Sequence, residues 1–120
     1  MSHRSPDAID AEARKTLAEI EARRDDMKPK ERLAIPPQPM PEQNPGERGR
    51  NFNEVALGYT ETQARIEAMR CLQCRNKPCV AGCPVRVDIP AFLKAVADGE
   101  FQKAVDIVKQ FNLLPAVCGR

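Results

Sequence analysis

Between Cys71 and Cys83 the chain places four thiols within thirteen residues: Cys71-Leu-Gln-Cys74-Arg-Asn-Lys-Pro-Cys79-Val-Ala-Gly-Cys83-Pro84, a C-x2-C-x4-C-x3-C-P run. A disulfide framework fits this run poorly. The Met1-Ser-His-Arg start carries no apolar region of a secretory signal, and the total of five cysteines is odd. Short cysteine spacings without a secretion signal point instead to soft-metal chemistry. A structural zinc site and an iron–sulfur site both remain open, with unligated structural thiols as the third reading.

The spacing weighs between them. Zinc motifs usually come as two C-x2-C knuckles separated by a longer loop. Here the third and fourth cysteines are unevenly spaced and a proline follows the last, as in bacterial ferredoxin runs, where the final cysteine can serve a second cluster. Backbone N–H groups in turns between thiols can face sulfide and thiolate charge, which favours an anionic cluster. The spacing therefore favours iron–sulfur over zinc.

Composition sets the limits around this run. A chain of 120 residues makes one small domain, and only 4% of it is aromatic, with no Trp. A domain with so few large apolar groups benefits from a metal staple. The net charge is +2 with both signs interspersed, which argues against a dedicated nucleic-acid surface. No apolar run approaches the roughly 20 residues of a membrane span. The expectation is a soluble, cytoplasmic protein.

Ser5-Pro6-Asp7 reads as a helix start, with an N-cap hydroxyl, proline at the first position and an acid on the positive end of the dipole. The segment to about Arg24 carries a narrow apolar stripe, Ile9, Ala13, Leu17 and Ile20. It is read as a solvated, partly formed helix, with partner docking as the alternative. Prolines in Ile35-Pro-Pro-Gln-Pro-Met-Pro41 remove donors and bias their predecessors to extended geometry, so a strap along a neighbouring surface is expected there. Phe52, Val55 and Leu57 are expected to pack beneath the cysteine segment.

Thr60-Glu-Thr-Gln63 is a capping box. The helix it opens is expected to run into Cys71 and deliver Cys71 and Cys74 from its last turn. Arg70, Arg75 and Lys77 could offset thiolate charge or simply face solvent. Asp88 is expected to cap a helix bearing Ile89, Phe92, Leu93 and Val96, with Gly99 closing it. A second helix follows, with Phe101, Ala104, Val105, Val108 and Phe111 on one face. The pair is an αα-hairpin, and without any alternating pattern the fold class is all-α. Pro115 could open one further turn. Cys118 is read as a small buried hydrophobe or a fifth ligand. The one histidine, His3, sits in a terminus with no catalytic partner.

Arg70-Cys-Leu-Gln-Cys-Arg-Asn-Lys-Pro-Cys-Val-Ala-Gly-Cys-Pro-Val, Val87-Asp-Ile-Pro-Ala-Phe and Pro115-Ala-Val-Cys-Gly-Arg together resemble a known module. It is the N-terminal iron–sulfur domain of the NADPH-dependent glutamate synthase small (β) subunit family. Phe52-Asn-Glu-Val-Ala-Leu-Gly-Tyr-Thr resembles it too. The resemblance spans about residues 36–120 and leaves the first helix out. The module is also similar to the N-terminal domain of dihydropyrimidine dehydrogenase, and to flavoprotein subunits of NADH-dependent ferredoxin:NADP oxidoreductase and sulfide dehydrogenase.

The resemblance implies an α-helical ferredoxin-type fold holding two [4Fe-4S] clusters. Cys71, Cys74 and Cys79 would be ligands of one cluster and Cys83 the first ligand of the other, with Cys118 outside the set. It implies further ligands in a second cysteine run after the Cys-Gly-Arg motif, followed by FAD and NADPH domains, so that this chain would be the N-terminal part of a longer polypeptide, inactive alone. In the whole enzyme it implies electrons passing from NADPH through FAD and the clusters to a large-subunit-like redox partner, which in glutamate synthase reduces the imine of 2-oxoglutarate and ammonia. The organisation expected is an N-terminal extension, helical or partly disordered, over 1–28, a proline-rich linker over 29–46, and the first part of the iron–sulfur domain over 47–120. The rival from another class is a zinc-stapled interaction domain closed by the same four cysteines. A metal-free fragment folding through its 88–112 hairpin is the third.

Overall fold

The stripe Ile9, Ala13, Leu17, Ile20 lies on helix α1 (Pro6–Glu21), and all four side chains are buried. The computed structural model describes residues 4–119, so His3 and Arg120 lie outside the described residues. Ser5 Oγ accepts from the Ala8 N–H at 3.3 Å, and Arg14 pairs with Asp10 one turn back at 2.8 Å. These local terms start the helix, but a short helix in water owes most of its stability to packing. That packing comes from α4 (Glu61–Met69), whose Ile66 and Met69 are almost fully buried. The expectation of a solvated first helix is corrected: α1 is one wall of the core.

Residues 29–46 differ from a plain linker. A 3-10 turn (Arg24–Asp26) leads into α2 (Pro29–Ala34), and α3 (Pro45–Arg48) follows the strap. Both helices start on a proline, whose missing N–H would have had no helical partner in any case. Glu31 Oε2 accepts from the Lys28 N–H at 2.8 Å, and Asn44 Oδ1 accepts from the Gly46 N–H at 2.8 Å. The prolines that bound the expected linker, Pro29 and Pro45, thus act as helix starts, while Pro36, Pro37, Pro39 and Pro41 stay non-helical as expected.

Between these helices the strap does lie on a neighbouring surface, that of α4. Gln63 donates to the Pro39 carbonyl at 2.8 Å, Tyr59 donates to the Gln38 carbonyl at 3.2 Å, and the Gln38 N–H donates to Glu67. Ile35 anchors its start in the core. After Pro41 the chain doubles back. The Leu57 N–H donates to the Pro41 carbonyl at 2.8 Å and the Gln43 N–H to the Val55 carbonyl at 2.9 Å. The anchors expected beneath the cysteines face outward instead. Phe52 is fully exposed, and Val55 and Leu57 are also exposed. This stretch is held by backbone bonds and by the amides of Gln43 and Asn51 rather than by apolar anchors.

The capping box at Thr60 forms as expected, with Thr60 Oγ1 accepting from the Gln63 N–H at 3.3 Å and Gln63 Oε1 accepting from the Thr60 N–H at 3.1 Å. On the other side of α4 packs α6 (Ile89–Ala97), which pairs in turn with α7 (Phe101–Lys109). The turn between them needs Gly99, at φ +79°, where a side chain would be strained. The core joins Ala13, Leu17, Ile20, Ile35, Ile66, Ala68, Met69 and Ala97. The far face of the hairpin is less covered than its stripe suggests, for Val105 and Phe111 are exposed. Among the described residues there are helices and no strand, and no helix is long and apolar enough to cross a membrane. The chain is all-α.

Candidate metal centre

Helix α4 stops short of the thiols. Its last residue is Met69, Arg70 caps it, and the Cys71 N–H makes a final bond of 3.2 Å to the Ala68 carbonyl. From Cys71 the backbone is irregular, so Cys71 and Cys74 do not share a helical face as expected. Cys79 lies on the short helix α5 (Pro78–Gly82), and Cys83 caps its C-terminus. All four thiols are unpaired, Cys71 and Cys83 half-buried and Cys74 and Cys79 exposed. Among the described residues no three Cys, His, Asp or Glu side chains gather closely enough to hold a metal ion.

Three non-glycine residues have left-handed backbones among those described: Gln73 at φ +52°, Lys77 at +41° and Arg86 at +56°. Two of them interleave the thiols and the third follows Cys83. Such conformations cost about 1–3 kcal/mol each and persist only where surroundings impose them. For Gln73 and Lys77 the surroundings are the first turn of α6 and its cap. Gln73 Nε2 donates to the Pro90 carbonyl at 3.0 Å and lies 3.5 Å from Cys71 Sγ. Lys77 Nζ reaches both Asp88 carboxylate oxygens, at 2.9 and 3.1 Å, while Asp88 also accepts the Ala91 N–H as the α6 cap. The Lys77 ammonium and the Ala91 N–H hold the Asp88 carboxyl below its usual range.

The Cys83 thiol is shifted below its ordinary pKa. Backbone hydrogen bonding from Val87 and then Val85 lowers it, with burial opposing and Arg86 adding a smaller lowering. Backbone N–H groups near a sulfur favour its charged form without a neighbouring cation. Four thiols, one with its pKa lowered, form a donor set that fits an iron–sulfur centre in its chemistry.

The flanking cations divide. Arg70 pairs with Glu67 at 2.7 Å, and its Nε is buried with no hydrogen-bond partner. Lys77 serves Asp88, and Arg75 is exposed. Helix α8 (Pro115–Cys118) supplies the single further turn expected at Pro115, but Cys118 is exposed rather than buried. Cys83 and Cys118 both line an open apolar cavity of about 580 Å³ with Ile89, Phe92, Val108 and Pro115. Sequence reading alone did not find Gln73 or the second role of Asp88. A left-handed glutamine carries no local signal, and Asp88 was legible only as a cap.

Known proteins agree with this donor chemistry. The chain is 42% identical over 69 residues to the glutamate synthase (NADPH) small chain of Escherichia coli strain K12, covering 58% of this chain and 15% of that protein. It is 34% identical over 84 residues to the glutamate synthase (NADPH) small chain of Azospirillum brasilense, covering 69% and 17%. Against the NAD-dependent dihydropyrimidine dehydrogenase subunit PreT of Salmonella typhimurium strain LT2 it is 35% identical over 81 residues, 68% and 18%. The chain thus spans less than a fifth of the length of these curated relatives. A family model described as dihydropyrimidine dehydrogenase domain II, 4Fe-4S cluster, matches residues 48–120. This protein belongs to that iron–sulfur domain family.

Proposed function

We propose that the chain is an electron-relay domain in which Cys71, Cys74 and Cys79 are ligands of one [4Fe-4S] cluster and Cys83 is the first ligand of a second. The observation that carries this reading is the thiol loop itself: four unpaired cysteines on a backbone bent three times into left-handed geometry. Bound clusters would supply one-electron transfer. The chain's own part is to hold the thiols, to exclude competing ligands and to set potential through N–H donors and burial. The relatives' names support placing the domain in a larger oxidoreductase that uses NADPH; in this reading FAD feeds the clusters and a glutamate synthase large-subunit-like partner accepts the electrons. A cytoplasmic location follows from that reading. The segment before residue 47 then serves as a brace for the cluster domain rather than as a separate unit.

Single cysteine-to-alanine variants of the full polypeptide, purified anaerobically and read by electron paramagnetic resonance, test the assignment. C71A, C74A and C79A should remove one and the same cluster signal, C83A a different one, and C118A neither. Loss of a single bound zinc in C71A, C74A, C79A and C83A alike would contradict the relay and favour the zinc-stapled module.

A further inference from the structure

Arg32 lies on α2, outside the residues 48–120 that the family model matches, yet its guanidinium reaches the cysteine loop. Its Nη1 is 3.3 Å from the Met69 carbonyl and 3.5 Å from the Cys71 carbonyl. The Met69 carbonyl belongs to the end of α4, where the last C=O groups lack helical partners and the dipole is negative, and the Cys71 carbonyl lies just beyond the cap. Its Nη2 lies 3.5 Å from the Arg24 carbonyl. Arg24 is itself fixed by pairing its guanidinium with Asp98 at the end of α6. One planar fork thus ties the residue that opens the thiol run to a point anchored on the far helix. Arginine suits this task because its donors are rigidly preset, where lysine offers a mobile point charge. Arg32 is half-buried, so its charge is screened less than that of an exposed cation.

We infer that Arg32 is a positioning residue for Cys71, holding its backbone in place for metal ligation and setting a permanent positive charge behind it. This rests on the reading of Cys71 as a cluster ligand. Partners outside the ligand set commonly govern metal retention by 10–100-fold. A nearby cation also favours the more negative, reduced state of a cluster, because opposite charges attract across a medium of low dielectric.

The test uses the full polypeptide loaded anaerobically, as wild type, R32M, R32K and L17A. Leu17→Ala loosens the same core without touching Cys71. Three quantities are read: the cluster midpoint potential by redox titration, the rate of iron loss to a ferrous chelator, and thermal unfolding. R32M should move the potential to a more negative value and speed iron loss about tenfold or more. R32K should keep the potential close to wild type, through its charge, while losing iron at an intermediate rate. L17A should lower the unfolding temperature and leave the potential in place. An R32M protein matching wild type in potential and iron loss overturns the role of Arg32, as does an equal shift of potential in R32M and L17A. A wild type that takes up no iron overturns the cluster reading together with this one, so the two failures are told apart.

Discussion

Gln63 is the only polar side chain with no exposed surface among the described residues, and it uses both ends of its amide. The carbonyl closes the capping box while the NH2 holds Pro39. Gln63→Ala would leave a strap carbonyl and the Thr60 N–H without partners, at a cost of about 1–3 kcal/mol, measurable by denaturant titration. Ile66→Ala, at a site with no exposure, should cost about 2–5 kcal/mol. The Cys83 thiol invites a chemical test. In metal-free protein its alkylation rate, followed residue by residue by mass spectrometry, should rise at lower pH than that of an unstructured cysteine peptide. The cause is the N–H donors of Val87, Val85 and Arg86. Because the folded pKa is the lower one, the linked stability is present above the ordinary thiol pKa and is lost as pH falls through the folded value. Coincident curves for Cys83 and the peptide would contradict this picture of the loop.

At the scale of elements, caps and periodicity were legible and contacts were not. Thr60 with Gln63, Asp88 and Gly99 carry chemistry that forces a local geometry, so their helix boundaries could be read directly. The first helix could not be placed, because a stripe containing an alanine fits a solvated helix as well as a packed one until Ile66 and Met69 are seen facing it. Phe52 illustrates the reverse error. An aromatic residue suggested an anchor, but backbone bonds at Pro41 and Val55 settle that turn and leave the ring outside. The thiol loop shows the same division. Its spacing pointed to candidate donors, while the bends at Gln73 and Lys77 and the Lys77–Asp88 tie depend on α6 and leave no trace in the run itself. Asp88→Ala should therefore do more than remove a cap worth about 0.5–2 kcal/mol, since it also releases Lys77 and loosens the cysteine loop. The folded pKa of Asp88 is lowered, so its contribution is present above the ordinary carboxylate pKa of about 4 and is lost as pH falls through the folded value. Asp88→Asn should flatten the acid limb of the stability curve, and an unchanged limb would count against the ion pair.

Across the whole molecule the chain behaves as a brace and a loop. Helices α1 and α2 with the strap form one side, α4 is the shared core, and the hairpin α6–α7 forms the other side. Arg65 crosses between them, pairing with Glu21 of α1 and donating to the Ala97 carbonyl of α6 at 3.3 Å. Deleting residues 1–34 should consequently expose Ile66 and Met69 and abolish cooperative unfolding, rather than trim an independent extension. Circular dichroism on heating would show a sloping loss of helix in place of a transition. The central claim concerns the thiols, and metal content tests it most directly. Iron, acid-labile sulfide and zinc should be measured per chain, with a visible spectrum, on the full polypeptide purified without oxygen. Iron and sulfide in equal amounts, with broad visible absorption that C71A diminishes, is the predicted result. One zinc per chain, with no iron and no colour, would contradict it.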